Sequence, residues 1–226
     1  MVARRSPSWR RPGRRPSARG RRSARPTCCT HEAVAAVTRR IALYGGSFNP
    51  PHLAHQVAAL MVLETQDVDE LWFLPTWKHP FGKDLTSYDD RVRMTELAAD
   101  ALGPRASVSR FEEVIAARPG FVSSRTLDTV VALEAAHPGA AFRLVIGADI
   151  LGETEKWYRW DELARRAPPI VIGRVGYDAP AGTLPSPLEV ALSSTEVRAH
   201  IARGDLPNGL LPRAVLGYIA ERGLYR

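Results

Sequence analysis

Two histidines three residues apart, His52 and His55, follow a pair of glycines and a pair of prolines within residues 45–55, GGSFNPPHLAH. Proline suits the first position of a helix, so a helix starting at these prolines would place both imidazoles on one face, beside unpaired backbone N–H groups. Such a helix start attracts anions, and Gly45 and Gly46 let the backbone approach a ligand closely. The stretch therefore predicts a phosphate site. Zinc, the alternative for paired histidines, needs at least three protein ligands, and no third histidine or cysteine lies nearby.

A second anion site is predicted far along the chain, in SSTEVRAHIARG (193–204). Ser193 and Glu196 have the spacing of a capping box, which marks a helix N-terminus. The arginine that follows could grip phosphate oxygens through two parallel N–H groups. The alternative is a helix cap that binds no ligand. The residues of this candidate site are Ser193, Ser194, Thr195 and Arg198.

Short apolar runs alternate with stretches of helical periodicity from residue 41 onward, which predicts the elements that position these residues. Strands are expected at 41–44, 70–75, 106–112, 141–147 and 169–174. Helices are expected at 52–66, 87–102 with Ser87 as N-cap, 123–137, 160–167, 193–204 and 211–223. Strands separated by helices pair in parallel, so we expect an α/β fold: a Rossmann-like, doubly wound parallel sheet of about five strands with C-terminal helices. Ligands of such sheets bind beyond the carboxyl ends of the strands, here at 45–55, 75–83, 147–158 and 173–177.

Residues 45–55 resemble the G-x-F-D-P-x-H-x-G-H signature of the nucleotidyltransferase superfamily with the HxGH motif, and SSTEVR resembles its second motif, I-S-S-T-x-x-R. Asn49 replaces the usual aspartate of the first motif, and Ala54 replaces its usual glycine. The resemblance implies an ATP site in which His52, His55 and Arg198 are catalytic. The residues that it assigns to ATP are Gly45, Gly46, Ser47, Phe48, His52, His55, Gly147, Asp149, Ser193, Ser194, Thr195 and Arg198.

Further segments resemble one branch of this superfamily, the bacterial nicotinate mononucleotide adenylyltransferases. The segments FRLVIGADIL, KWYRWDEL, VIGR and GLLPRAVLGYIAERGLYR recur in that branch in this order, so the resemblance spans residues 41–226. It implies adenylyl transfer from ATP to nicotinate mononucleotide, in NAD biosynthesis. Mg²⁺ would bridge phosphate oxygens and keep mostly water ligands, so no cluster of protein carboxylates is expected as a metal site.

The resemblance also implies a nicotinate pocket built from SSRT and KWY. Backbone N–H groups of Thr126 and Tyr158 would bind the nicotinate carboxylate, and Trp157 would stack on the pyridine ring. A carboxylate accepts from two amide donors, whereas a carboxamide presents its own N–H to one of them. The alternative for the aromatic residues is ordinary packing under a loop. Arg125 stands where relatives often carry an aromatic residue, and it either adds a cation for the acid or points to solvent.

Basic and acidic residues follow three of the predicted strands. Lys78, His79 and Lys83 lie in WKHPFGKDL, where relatives carry a mobile basic loop that meets phosphates; surface solvation would explain these side chains equally well. Asp149 would accept from a ribose hydroxyl or cap the following helix. Arg174 would contact the nucleotide or the phosphate of the mononucleotide.

The charge of the chain is unevenly distributed. Residues 1–40 contain 12 arginines and one acid, Glu32, so they carry +11 of a whole-chain charge of +7, and residues 41–226 carry −4. The segment 1–40 is poor in apolar residues and cannot offset its ordering entropy by burial. We expect a disordered tail there, or a start codon assigned too early, with a targeting peptide or a nucleic-acid-binding arm as alternatives. The folded domain is expected at 41–226.

Both cysteines, Cys28 and Cys29, lie in this tail, which excludes a disulfide framework from residues 41–226 and fits a reducing, cytoplasmic location. No apolar run is long enough to cross a bilayer, and the acidic body is not expected to bind nucleic acid. The sequence is compatible with a homo-oligomer. Two functional alternatives stay open: an adenylyltransferase that uses nicotinamide mononucleotide or another phosphorylated acceptor, and a regulator that binds nucleotides or nucleic acid.

Overall fold

A computed structural model of the chain describes residues 39–80, 82–178, 180–188, 192–205 and 209–226. The tail predicted at 1–40, with both cysteines, therefore lies outside the described residues up to residue 38. Arg39 and Arg40 form ion pairs with Glu70 and Asp69, respectively. These two arginines belong to the folded domain rather than to the tail.

Five parallel strands form one sheet: β1 (Arg40–Gly46), β2 (Glu70–Pro75), β3 (Ala106–Val108), β4 (Ala141–Gly147) and β5 (Pro169–Ile172). Their order is β3-β2-β1-β4-β5, so the chain builds one half of the sheet outward from β1 and then crosses to its other side. This arrangement confirms the doubly wound parallel sheet. The switch point lies between β1 and β4, and a crevice at the carboxyl ends of two such strands is where open α/β sheets bind ligands.

Eight α-helices lie in the described residues: α1 (Leu53–Thr65), α2 (Tyr88–Ala99), α3 (Phe111–Ala116), α4 (Thr126–Ala136), α5 (Ala148–Leu151), α6 (Trp160–Arg166), α7 (Ser194–Ala202) and α8 (Arg213–Arg222). Ser87 caps α2 as expected, because its side chain accepts from the Asp90 N–H. The strand expected at 106–112 is wrong beyond Val108, since two acidic residues in the first turn of α3 favour a helix there. None of the helices in the described residues is long and apolar enough to cross a membrane.

Buried apolar clusters cover both faces of the sheet. Ala59 of α1 belongs to the cluster on one face, while Val130 of α4 and Leu163 of α6 belong to the cluster on the other. A third cluster holds Met94 of α2 together with Val197 of α7 and apolar residues of α8. This third cluster fixes α7 to the domain and so determines where its N-terminus lies.

Candidate nucleotide-binding site

The two glycines at the end of β1 make room for different groups. A methyl group on Gly46 would lie 3.0 Å from the ring of Phe48, a buried residue with a left-handed backbone conformation (φ 45°). That ring packs edge-on against Phe73 and His55, with centroids 5.5 and 5.1 Å away. A methyl group on Gly45 would meet no atom within 4 Å. Open space for a ligand therefore exists at Gly45, whereas Gly46 accommodates the Phe48 ring.

Helix α1 begins one residue after His52, which is its N-cap residue. The expectation that Pro50 or Pro51 begins this helix is wrong, since both prolines precede the N-cap; the peptide bond before Pro50 is cis. The backbone of His52 is extended (φ −134°, ψ 174°), and its N–H donates to His55 Nδ1 over 3.1 Å. The side chain of one motif histidine thus fixes the backbone of the other at the helix start.

The imidazoles of His52 and His55 stack with 3.8 Å between ring centroids. Because Nδ1 of His55 accepts a hydrogen bond, its proton resides on Nε2, which is the donor of that ring. Burial, together with the charge of Arg174, lowers the pKa of His52 to about 4. Burial is the main cause that lowers the pKa of His55 well below its usual value, and the neighbouring His52 and Arg174 lower this pKa further. Both rings are therefore neutral at pH 7. The buried Nδ1 of His52 has no hydrogen-bond partner among the described residues.

The first turn of α7 contains the predicted capping box. Ser193 Oγ accepts from the Glu196 N–H over 3.2 Å, and the Ser193 N–H donates to Glu196 Oε2 over 2.9 Å. Arg198 Nη2 donates to Thr195 Oγ1 over 3.2 Å. The turn therefore orients its arginine as well as capping its own backbone.

This turn also holds the loop that precedes α1. Arg198 Nη1 donates to the carbonyl of Asn49 over 2.7 Å, and Ser194 Oγ donates to the carbonyl of Pro50 over 2.9 Å. The two stretches predicted to bind phosphate are thereby in direct contact. Two helix N-termini, an imidazole pair and a guanidinium meet beside the end of β1.

Residues that the sequence did not single out also hold this loop. The side chain of Asn49 is buried, and its Oδ1 accepts from the Tyr225 hydroxyl over 2.8 Å and from the Thr86 N–H over 3.3 Å. Arg91, which is 1% exposed, donates to the carbonyls of Ser47 and Thr86, each over 3.0 Å. Arg91 lies in no motif. Tyr225 lies in the C-terminal segment 209–226 that carries the resemblance, but nothing in that segment indicates a contact with this loop.

At the end of β4, the side chain of Asp149 folds back over Gly147. A methyl group on Gly147 would collide with Asp149 Oδ1, which is buried and has no hydrogen-bond partner among the described residues. The other oxygen, Oδ2, accepts from Arg174 Nη1 over 3.1 Å. The helix-cap alternative for Asp149 is wrong, because Gly147 is the N-cap residue of α5 and no side chain caps it.

A cavity of about 410 Å³ opens between the carboxyl ends of β1 and β4 and the start of α4. From the sequence-predicted set it is lined by Gly45, Gly46, Ser47, His79, Lys83, Thr126, Gly147, Trp157 and Tyr158. His52, His55 and the first turn of α7 do not line this cavity. They lie around the loop between β1 and α1. The predicted residues thus line a cavity and form a separate, adjoining cluster that is the candidate anion site.

Two hydrogen bonds and one stacking contact connect the segments around the cavity. The Lys78 N–H donates to Ser124 Oγ over 3.2 Å, and the Ser124 N–H donates to the Lys78 carbonyl over 3.1 Å, so the basic loop is joined to the segment before α4. The guanidinium carbon of Arg125 lies 4.5 Å from the ring centroid of Tyr158. Burial lowers the pKa of His79, and the charge of Lys83 adds to this effect.

Known proteins resemble this chain over most of its length. A profile of the cytidylyltransferase-like family matches residues 43–200. A probable nicotinate-nucleotide adenylyltransferase of Anaeromyxobacter sp. (strain K) is 50% identical over 188 residues, which cover 83% of this chain and 97% of the relative. The probable nicotinate-nucleotide adenylyltransferase of Myxococcus xanthus (strain DK1622) is 42% identical over 189 residues, covering 82% and 94%.

A solved structure shares the fold. Plasmodium falciparum nicotinic acid mononucleotide adenylyltransferase complexed with NaAD superimposes with a TM-score of 0.70 at 19% identity, covering 83% of this chain and 97% of that one. Sequence and fold agree, and this chain belongs to the cytidylyltransferase-like family, within its nicotinate-nucleotide adenylyltransferase branch.

Proposed function

We propose that this chain transfers the adenylyl group of ATP to nicotinate mononucleotide, giving nicotinate adenine dinucleotide and pyrophosphate, a step of NAD biosynthesis. One observation carries the proposal: the hydrogen bond from Arg198 to Asn49 joins the two helix starts that are predicted to bind phosphate, beside the cavity at the switch point. The names of the two bacterial relatives support the same activity.

In the proposed reaction, an oxygen of the 5′-phosphate of the mononucleotide bonds to the α-phosphorus of ATP. The bond from that phosphorus to the bridging oxygen breaks, and pyrophosphate leaves with the electron pair. No covalent enzyme intermediate forms, so the chain contributes positioning and charge stabilisation. Nε2–H of His55 and the imidazole of His52 would bind ATP phosphates, while Arg198 and the first turn of α7 would bind the leaving pyrophosphate.

Mg²⁺ would bind together with ATP, held by the phosphate oxygens and not by a set of protein ligands. The groups around the loop are imidazole, guanidinium and backbone donors, and the described residues contain no group of three or more His, Cys, Asp or Glu side chains that could hold a metal ion. These donors fit phosphate oxygens that already carry a cation. Bound there, Mg²⁺ would neutralise charge on the phosphates. Lys83 and His79, which line the cavity, would add further donors to the phosphates.

The acceptor would occupy the cavity next to this site. Thr126 and Tyr158 would offer backbone N–H groups to the nicotinate carboxylate, and Trp157 would stack on the pyridine ring; all three line the cavity. Asp149, whose Oδ1 has no partner among the described residues, would accept from a ribose hydroxyl. Arg174 holds the other oxygen of this carboxylate and would keep it oriented.

The proposal is tested by incubating the purified chain with Mg²⁺, ATP and nicotinate mononucleotide and measuring dinucleotide and pyrophosphate. The variant His55→Ala should lower turnover by about 10²-fold or more, because it removes a donor to the phosphates, while circular dichroism shows a retained fold. His200→Ala, at a half-exposed position of α7, is the matched control and should keep wild-type turnover. Normal turnover by His55→Ala would contradict the mechanism.

Nicotinamide mononucleotide is the second candidate acceptor, and one observation favours it. Glu112 lines the cavity, and its Oε2 has no partner among the described residues, so it could accept from a carboxamide N–H. Comparing kcat/KM for the acid and the amide mononucleotides separates the two candidates. A preference for the amide would reassign the substrate.

A nucleic-acid-binding regulator is distinguished by removing residues 1–38. DNA binding that survives this truncation would support a regulator, since the body itself would then bind. Full transferase activity after truncation would make the tail an accessory. A cytoplasmic location and a homo-oligomeric state stay predictions, with ATP and the mononucleotide as the proposed ligands.

A further inference from the structure

Arg125 lines the cavity and is also exposed to solvent. It is the N-cap residue of α4, directly before Thr126, and its guanidinium stacks over the ring of Tyr158 at 4.5 Å. Stacking on an aromatic ring holds the guanidinium plane while its edge N–H groups stay able to donate. Arg125 therefore connects the start of α4 to the segment after β4 and presents its charge to the same cavity.

Besides Arg125, this cavity is lined by the cations Lys83 and Lys156 and by the acids Glu112 and Glu153. Lys156 and Glu153 form an ion pair with each other over 3.0 Å. Glu112 is 6% exposed, and among the described residues its side chain accepts a hydrogen bond from the Thr129 hydroxyl alone, so this acid disfavours an anionic ligand beside it. Arg125 forms no ion pair with any of the described residues, so its charge is available to a ligand.

We propose that Arg125 is the specificity-determining residue for the acid, pairing its guanidinium edge with the carboxylate of nicotinate mononucleotide. This inference rests on the proposed function and adds a residue to it. A guanidinium donates two parallel N–H groups to a carboxylate, but against a carboxamide it faces the amide's own donors and leaves one N–H unpaired. The cation also offsets the repulsion of the acid by Glu112.

The test compares kcat/KM for nicotinate and nicotinamide mononucleotides, at saturating ATP, in wild type and Arg125→Ala. The variant should lose about 10- to 100-fold in kcat/KM with the acid and less than about threefold with the amide. Arg125→Lys should fall between, because it keeps the charge without the fork. Arg118→Ala, which alters an exposed arginine outside this cavity, should match wild type with both substrates.

The outcomes separate this inference from the proposed function. An equal loss with both mononucleotides would overturn it, because Arg125 would then contact the phosphate or ribose that they share. An unchanged acid-to-amide ratio with full activity would also overturn it and leave the proposed function standing. Wild-type protein that makes neither dinucleotide would overturn both.

Discussion

Arg198 donates through Nη1 to the backbone carbonyl of Asn49 over 2.7 Å and so joins two segments that lie 149 residues apart in the sequence. The same guanidinium donates through Nη2 to Thr195, which fixes its orientation within α7. A guanidinium has five N–H groups, so Arg198 can hold the loop and still bind a phosphate. Arg198, which is proposed to bind pyrophosphate, therefore also holds the loop that is proposed to bind ATP.

Arg198→Ala should reduce kcat/KM for ATP by about 10²- to 10³-fold, because it removes a phosphate donor and releases the Asn49 carbonyl together. Arg198→Lys should recover part of this loss, since lysine keeps the charge but cannot donate as a fork. Steady-state kinetics in both directions, including pyrophosphorolysis, measure the effect. Arg203→Ala, at the exposed C-terminal end of α7, is the control. Wild-type kinetics in Arg198→Ala would show that the first turn of α7 only caps its helix and does not bind ATP or pyrophosphate.

Gly45→Ala and Gly46→Ala should separate ligand clearance from core packing. Gly46→Ala places a methyl group 3.0 Å from the buried Phe48 ring and should lower the free energy of unfolding by about 1–3 kcal/mol. Gly45→Ala meets no protein atom within 4 Å, so its thermal unfolding should match wild type. If ATP approaches the backbone at Gly45, this variant should still lose about 10- to 100-fold in kcat/KM for ATP. A stable Gly45→Ala protein with normal kinetics would exclude close approach there.

Tyr225→Phe should weaken both folding and ATP use, although Tyr225 lies one residue from the C-terminus. Burial raises the pKa of Tyr225 to about 12, so its hydroxyl stays protonated and donates to Asn49 Oδ1. Removing that donor leaves the buried amide oxygen with the Thr86 N–H alone, which should cost about 1–3 kcal/mol of unfolding free energy. Urea denaturation and ATP kinetics measure the change, and Tyr177→Phe, at a residue 55% exposed, serves as the control. Equal midpoints for both variants would show that the hydroxyl does not support the loop.

Local patterns predicted those parts of this molecule that depend on neighbours in sequence. Alternating strands and helices predicted the sheet, and the serine at 87 and the Ser193–Glu196 spacing predicted caps that the structure contains. The caps and the individual strands and helices depend on residues within a few positions of one another, where periodicity and capping chemistry act. The parallel pairing of the strands follows from their alternation with helices.

The parts that could not be predicted depend on tertiary contacts or on backbone conformation. Tyr225 reaches Asn49 across 176 residues and Arg91 reaches Ser47 across 44, and no local pattern records such a pairing. The different roles of Gly45 and Gly46 follow from the left-handed conformation of Phe48, a conformation that non-glycine residues seldom adopt. The ligand roles of the candidate residues stay predictions that the experiments above address.

The unfolding free energy should fall as the pH is lowered from about 6.5 towards 4, and His52 should contribute to this fall together with His55. Its pKa is about 4 in the folded chain, because burial and the charge of Arg174 disfavour its protonation, whereas an unfolded histidine titrates near 6.5. Between these values the unfolded state binds a proton that the folded state does not, so the stabilisation is complete above pH 6.5 and declines below it, by about 2 kcal/mol at pH 5. Urea denaturation at pH 7.5 and 5.0 should show a smaller decline in His52→Gln than in wild type, and His200→Gln, at a half-exposed position, serves as the control. An equal decline in all three proteins would show that His52 takes up its proton in the folded state as readily as in the unfolded chain.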